Sequence, residues 1–167
     1  MDIRPEVSAW DGKSAAAIRA VFNWYVQDVF FIDELVALLA ERQCQKGATW
    51  LLKACIEDDH TVSAQQSAII LEQIDVLACW ESKLHVLQIL PALKIDALHK
   101  LKLERFLRDA LNAKNKFVRA WAYNGFIVLA TQYPEYQPEA EKLIDNAMQD
   151  EAPSVKARIR QVMARCS

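Results

Sequence analysis

Histidine, cysteine, tryptophan and arginine carry most of the chemistry on offer in this sequence of 167 residues. His60 follows Glu57, Asp58 and Asp59, a grouping that would serve a metal ion or an acid–base pair if the side chains converged. Four neighbours in one polar segment cannot all point at one atom, so a solvated turn is expected there. His85 and His99 stand 14 residues apart on different predicted helices. His85 lies within an amphipathic pattern and is expected to be a partly buried structural residue. Cys44, Cys55, Cys79 and Cys166 form no CxxC pair and no zinc-site spacing with histidine. Cys55 sits in a helical apolar pattern that suits a small buried hydrophobe. The sequence contains no HExxH, GxSxG or glycine-rich phosphate loop. With three glycines in the whole chain, a backbone cradle for phosphate is hard to build. The expectation is a protein that is not an enzyme, with no catalytic, cofactor-binding or metal-ligating residues and no cofactor.

Binding chemistry is the remaining candidate. The five tryptophans, Trp10, Trp24, Trp50, Trp80 and Trp121, fall on separate segments, mostly beside apolar stripes, so packing within the fold is expected of each. Trp121 stands apart because it flanks Arg119 and Tyr123. Aromatic rings interleaved with arginine can stack on nucleic-acid bases. Net charge is −2, so the chain as a whole is no polyanion binder. The charge is nevertheless uneven. Residues 1–80 carry 6 Lys/Arg against 12 Asp/Glu, and residues 81–167 carry 14 against 10. The densest basic stretch, Lys94 to Arg119, holds eight basic and three acidic residues. Solvated helix faces account for such a stretch, and an acidic partner is the functional alternative.

The elements that must position these residues are legible from punctuation. Glycine and proline together number eight of 167, too few for a fold of many tight turns, and 53% of the residues are hydrophobic. An all-α fold of one domain over residues 1–167 is expected. Nine helices are read, at about 14–27, 31–43, 48–58, 63–78, 81–93, 99–112, 115–132, 138–150 and 153–166. Ser63 and Ser82 are candidate N-caps, and Gly47 is read as the break between the second and third helices. Pro138 and Pro153 fall in first turns, Pro91 ends or kinks the fifth helix, and Tyr133-Pro134 closes the helix before it. The N-terminus has no apolar core of a secretory signal, and no run of 18 apolar residues occurs. Free thiols without a signal lead to the expectation of a cytoplasmic protein with no membrane contact.

The apolar residues repeat with one register. In alternate helices the pattern i, i+3, i+4 reads Leu51/Ala54/Cys55, Val86/Ile89/Leu90, Ala122/Gly125/Phe126 and Ile159/Val162/Met163, with offsets of 35, 36 and 37. In the preceding helices the pattern i, i+1, i+4 reads Leu35/Val36/Leu39, Ile70/Leu71/Ile74, Phe106/Leu107/Ala110 and Leu143/Ile144/Ala147, with the same offsets of 35, 36 and 37. Two stripes sharing one period describe stacked helix hairpins, each covering its neighbour. Four hairpins follow, at about 31–58, 63–93, 99–132 and 138–166, with helix 14–27 as an N-terminal cap. The region of Trp24, Tyr25, Val26, Val29 and Phe30 is read as the capping contact, and Gly125 as a site of close helix approach.

Val118-Arg119-x-x-Ala122-x-x-Gly125-Phe126 resembles the second helix of a HEAT repeat, and Val155-Lys156-x-x-Ile159-x-x-Val162-Met163 looks like the same motif with Lys for Arg. Ser82-Lys83-x-x-Val86-x-x-Ile89-Leu90 is a weaker copy. The resemblance implies compact HEAT-like, armadillo-type repeats forming a right-handed α-α superhelix, or α-solenoid. Family helices often carry an Asp that supports the Arg of the next repeat. Asp150 stands in that place for Lys156, and Ala113 stands at its equivalent 37 residues earlier. The family binds partners on the concave side, lined by second helices. There Arg119, Tyr123, Lys156 and Arg160 would form a ridge for a protein or an acidic peptide segment. The expected function is therefore a protein-interaction or scaffolding module. The alternative is nucleic-acid binding related to DNA alkylation repair. Ala157, Ala164 and Cys166 leave the outer face of the last helix mixed, so the oligomeric state stays open.

Overall fold

The computed structural model describes residues 2–166, with side chains through residue 164. The protein is all-α, and among the described residues there is no strand. Ten α-helices are described: α1 (Arg4–Ala9), α2 (Ala15–Tyr25), α3 (Phe31–Ala37), α4 (Gln45–Glu57), α5 (Ala64–Glu72), α6 (Trp80–Ile89), α7 (Lys100–Leu111), α8 (Lys116–Gln132), α9 (Gln137–Asp150) and α10 (Pro153–Cys166). Short 3-10 turns extend α3, α6 and the approach to α9, at Leu38–Ala40, Leu90–Ala92 and Pro134–Tyr136. No described helix is long and apolar enough to cross a membrane. The chain forms two compact units, Met1–Lys94 and Ile95–Ser167.

Local chemistry sets the helix ends. Ser63 caps α5 in a full capping box: its hydroxyl accepts from the Gln66 amide, and the Gln66 side chain accepts from the Ser63 amide. Asn115 caps α8 by accepting from the amides of Phe117 and Val118. Ser82 does not cap α6. The helix starts two residues earlier, at Trp80, with Cys79 at the cap; Ser82 is buried, its hydroxyl 3.1 Å from the Cys79 sulfur. Pro91 stops α6 at Ile89, and Pro134 stops α8 at Gln132. Gln137 opens α9 with Pro138 in its first turn, and Pro153 opens α10.

In the first unit, α3 packs on α5, and α4 packs on α6. Like helices of neighbouring hairpins thus stack on each other. The stripe residues Leu35, Val36, Leu39, Leu51, Ala54 and Cys55 are buried, as are Ile70, Leu71, Ile74, Val86, Ile89 and Leu90. In the second unit α8 packs on α7, α9 and α10. Phe106, Leu107, Ala110, Ala122, Phe126, Ala147 and Ile159 are buried there, whereas Leu143, Ile144, Val162 and Met163 are not fully covered. Long-range hydrogen bonds span about one period: Thr49 to His85 is 36 residues, Ile95 to Gln132 is 37, and Lys100 to Glu135 is 35.

The N-terminal segment differs from expectation in three ways. First, α1 was not read from the sequence, because six residues are too few to show a period. It buries Ile3 and Val7 and packs on α2 and α4. Second, α2 buries Ile18 and Phe22 on one face and packs on α4. Trp24 lies two residues past Phe22, on the opposite face, and is 83% exposed; Val29 and Phe30 are exposed as well, so they form no capping contact. Tyr25 and Val26 of that region are partly buried, and the Tyr25 ring stacks on Phe31 at 6.3 Å. Third, Gly47 lies inside α4 rather than between helices. A Cβ there would stand 2.9 Å from both the Val7 carbonyl oxygen and a Val7 methyl. The glycine is what admits α1.

Intrinsic propensity alone would make Gly47→Ala stabilising by about 1 kcal/mol. The clash with Val7 backbone reverses the sign. Urea unfolding should show Gly47→Ala less stable than the parent protein, by about 1–2 kcal/mol; a gain in midpoint would show that α1 yields without loss.

Candidate functional site

The residues singled out for binding converge on the second helices of the second unit. Arg119 lies one turn into α8, and Tyr123 follows one turn later on the same face. That face is largely covered, with the Arg119 side chain 23% exposed and Tyr123 buried. Arg119 Nε donates to Glu151 Oε1 at 3.0 Å and Nη2 to Oε2 at 3.3 Å. Its Nη1 donates to the carbonyls of Ala113 and Lys114, at 3.0 and 3.2 Å. One guanidinium therefore holds the end of α7 against the turn that enters α10. Tyr123 is buried and donates its hydroxyl to Glu151 Oε1 at 3.2 Å. Burial pushes the Tyr123 hydroxyl up to about 12, with the Glu151 charge acting in the same direction. Burial alone would raise the Glu151 carboxyl, but the hydrogen bonds from Arg119 and the Ala152 amide hold it below its usual value.

Arg119 and Tyr123 are thus brought together, around an acid that the sequence reading missed. The motif drew attention to Asp150, one residue short of Glu151. Lys156 does not pair with Asp150 either: its ammonium donates to the Gln149 carbonyl at 2.9 Å. Ala113 contributes its carbonyl where the family pattern has an Asp side chain. Arg160 is exposed on α10 and has no ion pair among the described residues. Lys156 and Arg160 occupy the positions of Arg119 and Tyr123 one period later. The face that Glu151 covers on α8 carries no such acid on α10.

A different face of α8 carries open binding chemistry. Phe117 and Trp121, one turn apart, lie on the side away from Arg119; Phe117 is 53% exposed and Trp121 half-buried. Lys116 Nζ sits 5.6 Å from the Phe117 ring centre, and the Arg158 guanidinium of α10 lies 4.4 Å from that of Trp121. Arg158 stands 37 residues after Trp121, the repeat-equivalent position. Among the described residues no carboxylate pairs with Lys114, Lys116 or Arg158. Two cations of α7 differ: Lys100 pairs with Glu135, and Arg108 pairs with Glu104 and Glu139.

The equivalent positions in the first unit are Trp50 and His85, 35 residues apart. Trp50 is covered by the Arg19 guanidinium at 5.1 Å and meets Trp10 edge-on at 6.1 Å. His85 Nδ1 lies 3.0 Å from the Thr49 hydroxyl. The Thr49 hydroxyl donates to the Gln45 carbonyl at 2.8 Å, so the Nδ1–H tautomer satisfies the pair. Burial pushes the His85 imidazole down to about 4, and the Lys53 ammonium adds to the shift. Expected to pack within the fold, Trp80 at the start of α6 is 46% exposed, and Trp24 near the end of α2 more so.

His60 lies in a turn, its Nδ1 3.2 Å from the Asp58 carbonyl, with Asp59 at a positive φ of 63°. His99 is the cap residue of α7, 2.7 Å from Asp96 Oδ1. Cys55 is buried, and burial pushes its thiol up to about 12, far from a reactive thiolate. The Cys166 side chain lies outside the described residues. Among the described residues no three His, Cys, Asp or Glu side chains are grouped to hold a metal ion. Compared with protein-family models, curated proteins and solved structures, the chain matches none of them.

Two outcomes follow from this geometry. Glu151→Ala leaves a mostly buried guanidinium and a buried hydroxyl without their acceptor, and should cost about 2–3 kcal/mol in chemical denaturation. Glu151→Gln, which keeps an acceptor, should cost less. His85 binds its proton more weakly folded than unfolded. The unfolded state therefore takes up the extra proton between about pH 6.5 and 4, and stability should fall on acidification through that window. The melting temperature of His85→Gln should change less between pH 7 and 4.5 than that of the parent protein; parallel curves would exclude His85 as the cause.

Proposed function

We propose that the chain is a non-enzymatic protein-interaction module built from HEAT-like helix hairpins, a right-handed α-solenoid of about four repeats, that binds an acidic segment of a partner protein. The buried stripes at a period of 35–37 residues and the stacking of like helix on like helix within each unit support the repeat reading. The observation that carries the function is the cation–aromatic ridge of Lys116, Phe117, Trp121 and Arg158. Among the described residues the cations of this ridge have no carboxylate partner, and they stand beside apolar surface that adds contact area for an external anion. Arg119 and Tyr123 act as positioning residues, fixing α10 so that Arg158 lies over Trp121. Lys156 and Arg160 extend the positive charge of α10. A cytoplasmic setting suits the free thiols of Cys44, Cys55 and Cys79.

A second reading has one specific observation behind it. Exposed aromatic faces beside unpaired cations also suit single-stranded nucleic acid, because every base has a face to stack. Titration with a fluorescein-labelled Glu/Leu peptide and with an oligothymidine of equal charge separates the two. The peptide should bind, and Arg158→Glu and Trp121→Ala should each weaken it about tenfold or more. Tighter binding of the oligonucleotide, with affinity falling steeply as salt rises, would replace the first reading by the second. No binding of either would remove the ridge as a site.

A further inference from the structure

A groove in the second unit opens on a different surface, where α8, α9 and the end of α10 meet. Its volume is about 510 Å³, within the range that accommodates small ligands or a few side chains. Ala130 and Ala140 form a buried floor; Ile127, Ile144 and Met163 form apolar walls. Glu141 and Asp145, one helical turn apart on α9, stand on the rim.

The repeat register shows what is unusual here. Met163 is the fourth member of a stripe whose other members, Cys55, Leu90 and Phe126, are each at most 1% exposed; Met163 is 44% exposed. Ile144 is the fourth member of the series Val36, Leu71 and Leu107, all buried, and is itself only partly covered. Two positions that three hairpins bury are therefore left open in the fourth, and both open into this groove. The rim charge is equally specific. The second unit carries 12 Lys/Arg against 9 Asp/Glu, yet among the described residues the groove is lined by acids and no cation. Asp145 makes no hydrogen bond or ion pair among the described residues, and Glu141 accepts only from Gln137.

We propose that this groove is a second docking site, occupied by an amphipathic helix of a partner protein that inserts apolar side chains between Ile144 and Met163 and places Lys or Arg against Glu141 and Asp145. Apolar anchors in a groove with a complementary charged rim are how a helical segment is held in a fixed register. The site lies apart from the cation–aromatic ridge and selects the opposite charge, so either can fail without the other.

The probe is a short helical peptide with two leucines one turn apart and two arginines flanking them. The readout is the methyl resonance of Met163 in methionine-labelled protein, with Met148, packed against the buried cluster of Ala147 and Ile159, as a reference for the intact fold. The Met163 methyl should shift saturably while Met148 holds. Asp145→Lys with Glu141→Lys, two exposed positions, should weaken binding tenfold or more, and the same peptide with glutamates for arginines should not bind. Ile144→Ala should weaken the arginine peptide with the rim charges intact. Equal binding of the glutamate peptide, an unmoved Met163 resonance, or indifference to the rim reversal would overturn the proposal.

Discussion

A helix hairpin with an apolar stripe on each helix cannot bury either stripe by itself, and the positions of nearly all other features follow from how these stripes are covered. Leu51 and Cys55 on α4 meet a neighbour that presents Val86 and Leu90 in the same register, so the contact needs no special fit at any one residue. Because the two stripes share one period, the hydrogen bonds between hairpins share it too. That is why Thr49 finds His85 and Lys100 finds Glu135 across nearly equal lengths of chain. The register also says which polar groups lie between hairpins and which face outward. Arg119 and Tyr123 lie between; Phe117 and Trp121 face outward.

The same register explains why one helix can carry both a structural and an open basic group. Arg119 reaches the α9–α10 turn because α8 packs on α10, and Glu151 supplies both oxygens to its fork. Lys116, at the first turn of α8, reaches over the Phe117 ring and has no carboxylate partner among the described residues. Burial and pairing therefore sort the cations of the second unit. Those between helices are neutralised, and those on the outward side of α8 keep their charge available. Composition reports the total but not this division.

Much of the fold was legible in the sequence because the covering of stripes is a one-dimensional pattern. The residues of the first three hairpins assigned to the stripes are the ones that are buried, and Pro91, Pro134 and Pro153 end or open helices where their missing amides require. The failures have a common physical origin: each depends on a contact far along the chain. Gly47 reads as a break because glycine is a poor helix former, and only the approach of Val7 shows why α4 tolerates it. Ser82 reads as a cap because serine is a good one, but the helix had already begun. For Arg119, 100° per residue gave the correct face and the wrong surroundings. Helical periodicity shows that two residues share a side, not what packs against it. Glu151, two residues before Pro153 and outside any apolar pattern, carried no local signal.

Interactions such as Arg108 to Glu139, Arg119 to Glu151 and Tyr133 to Ile95 join residues 31, 32 and 38 positions apart. Each therefore closes a loop of nearly the same modest length. The entropy lost on closing a loop grows only with the logarithm of its length, so none of these contacts waits on a much rarer encounter than another. An early hairpin can begin to pack while the residues beyond it are still unfolded, and the protein can assemble in the order in which it is made.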